Sequence, residues 1–180
     1  MGNSISTPII TEPEKKPGRS LLIECISSGI IGAIAEILSQ LIKSSSLNNF
    51  NIHNIISYFI FGVITAPISK KLFILLEYLL KDIPEGFSKF FKKVIIERAI
   101  FAPLFLFLYK MLIPLLQGQP LSDVIKKLPQ NFLITLLINI LVWSPFSYIN
   151  MNYVPIEKRV ISANLMGLLW TCFLSFQSSP

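Results

Sequence analysis

The chain has 180 residues, of which 52% are hydrophobic and only 14% are charged, whereas soluble domains carry about 25% charged residues. This number of charged residues is too small to cover the surface of a water-soluble domain of this size. The composition therefore excludes a water-soluble domain and favours a single membrane-embedded domain. The formal net charge is +6, and most basic residues lie in short patches between apolar runs, which indicates a membrane protein rather than a nucleic-acid-binding protein.

Residues 1–20 are polar and contain three prolines, a composition that buries no core and disfavours a helix. The segment lacks the apolar stretch of a secretory signal and makes a poor mitochondrial presequence. Its first residues match the N-myristoylation pattern, with Gly2 as the acceptor and Ser6 at the required position. We therefore predict a flexible tail over 1–20, carrying a candidate lipidation site at Gly2, and a helical membrane domain over 21–177.

Five apolar runs follow the tail, at residues 21–42, 55–80, 94–116, 132–149 and 160–176. The first reaches about 33 Å as a helix, enough for a hydrocarbon core of about 30 Å. The last is at the lower limit for crossing, so it either spans the membrane or packs at the surface. Because backbone groups in lipid must be satisfied within the chain, and barrel-type alternation is absent, we predict an all-α bundle of four or five transmembrane helices.

The basic residues predict an orientation for this bundle. If successive runs cross in alternation, eleven Lys and Arg residues lie on the side of the tail and three on the other side. This asymmetry favours a tail that faces the cytosol or the matrix.

A polar face runs along the first apolar run. Gly29, Gly32, Glu36 and Gln40 are spaced by three or four residues, so they share one side of a helix, which we expect to meet protein rather than lipid. Two interpretations stand. The face is either a pore wall with a carboxylate and an amide beside water, or a small-residue packing seam in which Glu36 is paired or neutral.

Two charged residues interrupt the third run. Glu97 and Arg98 each cost about 2.5–3.5 kcal/mol in the centre of a bilayer, so they need partners, water or an interfacial position. Lys93 precedes Glu97 by four residues, a spacing at which the two can pair along the helix. The charged residues are therefore either interfacial or part of a gate.

The second run contains Pro67 followed by Lys70 and Lys71. The two lysines either end this span or face an aqueous path that favours anionic solutes. Pro67, Pro103 and Pro145 either kink their helices or are simply tolerated, as prolines often are in membrane helices.

The sequence offers no catalytic or metal-binding constellation. Cys25 and Cys172 both lie in apolar runs and His53 is the single histidine, which supports neither a disulfide framework, nor a zinc site, nor a hydrolytic triad. We therefore expect no enzyme activity and no cofactor.

A set of residues near the C-terminus resembles the signature of the peroxisomal membrane protein 2/4 family, also called the Mpv seventeen family: Trp143, Asn150, Val154, Pro155, Arg159, Trp170, Leu174 and Ser175. Earlier stretches are similar to further family patterns: Gly32, Glu36 and Gln40; Ala66 and Pro67; Lys93, Glu97, Phe101, Ala102 and Pro103. The resemblance covers roughly residues 21–176. On their own, Asn150 and Arg159 either bind a lipid head group or cap a turn, and the tryptophans indicate interface anchoring and packing.

The resemblance implies a multi-pass protein with four transmembrane helices in the peroxisomal or inner mitochondrial membrane, and links some members to a small-solute channel. Together with the polar residues, it leads us to expect a helical bundle in the lipid bilayer that associates with further copies through its small-residue faces and forms or regulates a pathway for small polar solutes. The alternative is a structural or adaptor protein whose basic segment 70–93 and N-terminal tail recruit partners or anionic lipid. Neither hypothesis involves nucleic acid.

Overall fold

The computed structural model describes residues 17–43, 50–84 and 87–177, and these ranges are helical with no strand. The elements are α1 (Pro17–Lys43), α2 (Ile52–Leu79), α3 (Phe87–Leu116), α4 (Leu121–Lys127), α5 (Phe132–Tyr153), a 3-10 turn (Ile156–Lys158) and α6 (Arg159–Gln177). Within these described ranges, four stretches are long and apolar enough to cross a membrane, at residues 21–42, 52–79, 91–116 and 132–153. The predicted all-α membrane bundle is therefore confirmed.

Two predicted boundaries differ from the structure. Helix α1 begins at Pro17, inside the predicted tail, because a proline is well accommodated in the first turn of a helix. Helix α2 continues through Lys70 and Lys71 to Leu79, so the helix extends beyond a span that ends at these lysines, and the position at which the span itself ends stays a prediction. The Lys70 ammonium is paired with a carboxylate inside the bundle, 2.7 Å away.

The long helices form two groups. Helix α1 packs most extensively against α2 and α6, and α3 packs against α5, while fewer contacts join the two groups. The N-termini of α1 and α6 lie close to the C-terminus of α2. We call this end of the molecule the N-terminal end of the bundle. At the opposite end, the α4 end, the short helix α4 connects α3 to α5.

Helices α1 and α2 touch through their backbones. A Cβ atom on Gly32 would lie 2.6 Å from the carbonyl oxygen of Tyr58, and one on Gly62 would lie 2.7 Å from the carbonyl carbon of Ser28. Only glycine permits such an approach. The glycines of α1 therefore pack against α2 of the same chain, as in the packing-seam interpretation, and they do not line an aqueous path.

Helix α6 lies beside α1. The Asn164 amide nitrogen donates to the Ser28 hydroxyl oxygen at 2.6 Å, and both residues lie in the first half of their helices. Glu24, early in α1, and Arg159, the first residue of α6, both bond to the second half of α2, so α1 and α6 run parallel. At 19 residues, α6 extends about 28 Å along its neighbour.

The outer surface of the bundle is apolar. Leu133, Leu137 and Leu141, spaced by four residues on α5, are 67–75% exposed. A soluble monomer does not present a continuous face of this kind, whereas a lipid environment accommodates it.

Candidate functional site

Seven charged side chains in the N-terminal half of the bundle form three ion-paired groups, which we call together the charged cluster. They are Glu24 of α1, Lys70 and Glu77 of α2, Lys93, Glu97 and Arg98 of α3, and Arg159 of α6. All except Lys70 and Glu77 are less than 9% exposed. A charge at this depth is stable only when a partner or water compensates for its lost hydration.

Glu77 is the centre of the cluster. Its carboxylate accepts from the Arg159 guanidinium at 2.5 Å and from the Lys93 ammonium at 3.1 Å. The two cations come from different helices, so one carboxylate joins α2, α3 and α6. Arg159 and Lys93 have side chains only 9% exposed, whereas Glu77 is 30% exposed.

Arg159 also caps helix α5. Its guanidinium donates to the carbonyl oxygen of Met151, in the last turn of α5, at 2.8 Å and to that of Val154, the residue that follows the helix, at 3.0 Å. Carbonyl groups at the end of a helix lack partners within the helix. The Asn150 amide donates in turn to the Arg159 carbonyl oxygen at 3.3 Å. These contacts match the capping interpretation of Asn150 and Arg159, and the fork of the guanidinium explains why arginine suits the position.

A second ion pair joins α1 to α2. The Lys70 ammonium lies 2.7 Å from the Glu24 carboxylate, and the side chains are 28% and 6% exposed. The neighbouring Lys71 is exposed. Sequence reasoning missed Glu24, although a signal was present, because steps of four residues lead from Glu36 back through Gly32 and Ser28 to Glu24.

The third pair lies within α3. Arg98 donates to the carboxylate of Glu97, the residue before it, and its guanidinium carbon lies 5.8 Å from the centre of the Trp143 ring on α5, within the range of a cation–π contact. The structure thus pairs Glu97 with Arg98 rather than with Lys93, the partner that the four-residue spacing allows. Lys93 reaches Glu77 on α2 instead, because the packing of α2 on α3 presents that carboxylate to it.

The polar residues of α1 nearer the α4 end form a separate network. The Gln40 amide nitrogen donates to the Glu36 carboxylate at 2.9 Å and to the Asn51 carbonyl oxygen at 3.1 Å, and the Gln40 carbonyl accepts from the Asn51 backbone N–H at 2.8 Å. Gln40 thus fastens the end of α1 to the start of α2. Glu36 stands twelve residues, or about 18 Å, from Glu24 along the helix, so the structure does not bring it into the charged cluster.

The remaining predicted site residues have structural positions. Pro67 and Pro103 lie inside the continuous helices α2 and α3, and Pro155 precedes the 3-10 turn. Trp170 lines a shallow apolar pocket between α5 and α6. Gly2 lies outside the described residues.

The basic segment 70–93 is less available to partners than the adaptor hypothesis expects. Lys89 and Lys93 are only 6% and 7% exposed, whereas Lys81 and Lys92 are exposed. Two of the lysines assigned to a recruiting surface are therefore inside the bundle.

Comparison with known proteins relates the chain to a family of membrane proteins. The family model described as "Mpv17 / PMP22 family" matches residues 114–175. Peroxisomal membrane protein 2 of Bos taurus is 30% identical over 86% of this chain and 81% of its own length. PXMP2/4 family protein 3 of Dictyostelium discoideum is 25% identical over 90% and 86%, and the mitochondrial inner membrane protein Mpv17 of Drosophila melanogaster is 23% identical over 87% and 95%. No solved structure matches at a significant level.

Proposed function

The chain belongs to the Mpv17/PMP22 family of membrane proteins, and from this premise we propose that it forms or regulates a pathway for small polar solutes. The names of its relatives refer to the peroxisomal membrane and the mitochondrial inner membrane. One of these two membranes is the location we propose for this chain.

The charged cluster carries the proposal. Ionisable side chains inside a membrane bundle are costly to bury, and in membrane proteins they commonly mark the route of a polar solute. The pairs Glu24–Lys70 and Glu77–Lys93 supply such groups on α1, α2 and α3. Lys70 and Glu77, with side chains 28% and 30% exposed, are the members through which water entering from the N-terminal end would reach the cluster.

Reconstitution of the purified chain in liposomes tests the proposal. We expect the vesicles to swell in small neutral solutes faster than protein-free vesicles, and planar bilayers to show discrete conductance steps. Lys70→Gln removes the charge paired with Glu24 and is expected to change the conductance. Lys71→Gln removes a neighbouring exposed charge and is the matched control. Permeability equal to that of protein-free vesicles would refute the proposal.

A structural role is the second candidate, and one observation favours it: each member of the charged cluster has an oppositely charged partner in the cluster. Such pairs are enough to hold helices together. This role predicts that Lys70→Gln lowers thermal stability while the vesicles show no added permeability. A stable partner recovered by crosslinking in native membranes would extend the role to an adaptor.

Self-association is also part of the proposal. Gly29 and Gly32 face α2 within the chain, so a contact between copies has to use a different surface. Light scattering of the detergent-solubilised chain measures its oligomeric state, and a monomer at all concentrations would refute self-association.

A further inference from the structure

A pocket of about 310 Å³ opens at the α4 end of the bundle, between α2, α3 and α4. It is separate from the charged cluster, because Tyr58, which lines it, precedes Lys70 by twelve residues, or about 18 Å, on the same helix. Its volume is at the lower end of the range for small-ligand sites. The pocket lies where the apolar stretch 91–116 ends, so it is placed at the surface of the bilayer.

The lining of this pocket is cationic. Lys110 and Lys127 line it, and none of the described residues that line it is acidic. The Lys110 ammonium donates to the Gln130 carbonyl oxygen at 2.6 Å, which uses one of its three N–H groups. The Lys127 ammonium has a long contact of 3.5 Å with the Gln119 side-chain oxygen. Two positive charges are thus presented to the same small space.

Neutral donors and an apolar floor complete the pocket. The hydroxyl groups of Tyr58 and Tyr109 lie 2.9 Å apart at one side. Ile113 and Val124, with exposures of 5% and 2%, form buried apolar walls. Hydroxyl and ammonium donors suit phosphate oxygens, and the apolar walls beside them suit a group that enters from the edge of the membrane.

We propose that this pocket binds a phosphate group at the membrane surface, held by Lys110 and Lys127. The shared chemistry is that of an anionic phospholipid head group or a small soluble phosphate. A diffuse attraction between basic residues and an anionic membrane also exists. Binding in the pocket differs from this diffuse attraction because it depends on two particular lysines, Lys110 and Lys127, that share one pocket.

The matched control comes from the same helix. Lys126 is exposed on α4 and does not line the pocket, so Lys126→Gln lowers the diffuse attraction as much as Lys127→Gln but leaves the pocket intact. We would measure the retention of phosphatidic acid by the full chain in phosphatidylcholine nanodiscs with native mass spectrometry. In the diffuse attraction each basic residue near the surface contributes about fivefold to the affinity for anionic lipid, so Lys126→Gln is expected to weaken retention about fivefold. A hydrogen bond from an ammonium group to a phosphate oxygen adds about tenfold, so Lys127→Gln is expected to weaken retention about 50-fold, and the double variant with Lys110→Gln weakens it further.

A second experiment distinguishes a lipid head group from a soluble phosphate. Inorganic phosphate is titrated into the full chain in nanodiscs of phosphatidylcholine alone, and its binding is measured. Phosphate binding that depends on Lys127 but not on Lys126 identifies a soluble ligand, whereas retention of phosphatidic acid without phosphate binding identifies the head group. Equal effects of Lys126→Gln and Lys127→Gln, or no binding in either experiment, would overturn the proposal. Lys127→Gln keeps the test valid if the double variant does not fold, because Lys127 is exposed.

Discussion

The backbone contact between α1 and α2 makes Gly62→Ala a sharp test of the fold. The added Cβ would lie 2.7 Å from the Ser28 carbonyl carbon and 2.9 Å from the Gly29 nitrogen, whereas ordinary contacts begin at 3.4 Å. A flexible side chain would move aside, but these atoms belong to the backbone of α1. The two helices must therefore separate by about 0.5–1 Å, and the dispersion contacts along the seam weaken with them.

The expected loss of stability follows from two opposing effects. Overpacking a close contact costs about 1–3 kcal/mol, and replacing a helical glycine by alanine returns up to about 1 kcal/mol. We expect a net loss of about 1–2 kcal/mol for Gly62→Ala, which corresponds to a decrease in Tm of roughly 2–8 °C for a chain of this length. Gly29→Ala is expected to cost less, because its Cβ would meet the side chains of Phe59 and Val63.

The control is Gly167→Ala in α6, where the Cβ would meet only the Trp143 ring, at 3.8 Å. This variant is expected to equal or exceed the wild type in stability, because it gains helix propensity without a clash. Thermal unfolding of the purified chain in detergent, followed by tryptophan fluorescence, measures all variants. An unchanged Tm for Gly62→Ala, or an equal loss for Gly167→Ala, would refute the close crossing of α1 and α2.

Three further predictions address the charged cluster and the topology. Arg159→Ala is expected to lower the stability by about 2–3 kcal/mol, because it removes one of the two cations bonded to Glu77 and leaves the last carbonyls of α5 without their main donor. Arg159→Lys is expected to lose less, and equal Tm values for the two variants would contradict this. Lys93→Gln is expected to lower the free energy of unfolding by more than about 1 kcal/mol. Lys92→Gln changes an exposed neighbour and is expected to stay within about 0.5 kcal/mol of the wild type. Chemical denaturation measures the free energy of unfolding of both variants. The orientation is tested in a variant that lacks the native cysteines. Asp82→Cys is expected to react with an impermeant thiol reagent from the cytosolic or matrix side, and Ser122→Cys from the other side. Labelling of both cysteines from one side would exclude the orientation predicted from the basic residues.

Several features were predictable because they depend on local chemistry. The first predicted span, residues 21–42, coincides with the corresponding stretch of α1, since the length and polarity of a run decide whether hydrocarbon accommodates it. The glycines of α1 were assigned to a face that meets protein, and they do meet α2, because a step of three or four residues fixes the side of a helix. The C-terminal residues indicated the family from their order and spacing alone.

The partners of the charged residues were not predictable in the same way. Spacing along one helix suggested a pair between Lys93 and Glu97, yet Lys93 bonds Glu77, sixteen residues away, and Glu97 bonds Arg98. A side chain in a bundle reaches groups on several helices, and its choice depends on how those helices are rotated and how closely they pack.

The sequence by itself determined that this chain is a helical membrane protein, where its spans lie, and which face of α1 is turned toward protein, because each of these properties depends on the polarity of consecutive residues. Only the tertiary structure decided that Glu24 meets Lys70 and that Arg159 joins Glu77 to the end of α5. These contacts link residues 46 and 82 positions apart, and their geometry is set by helix packing, which the order of residues along one helix does not specify.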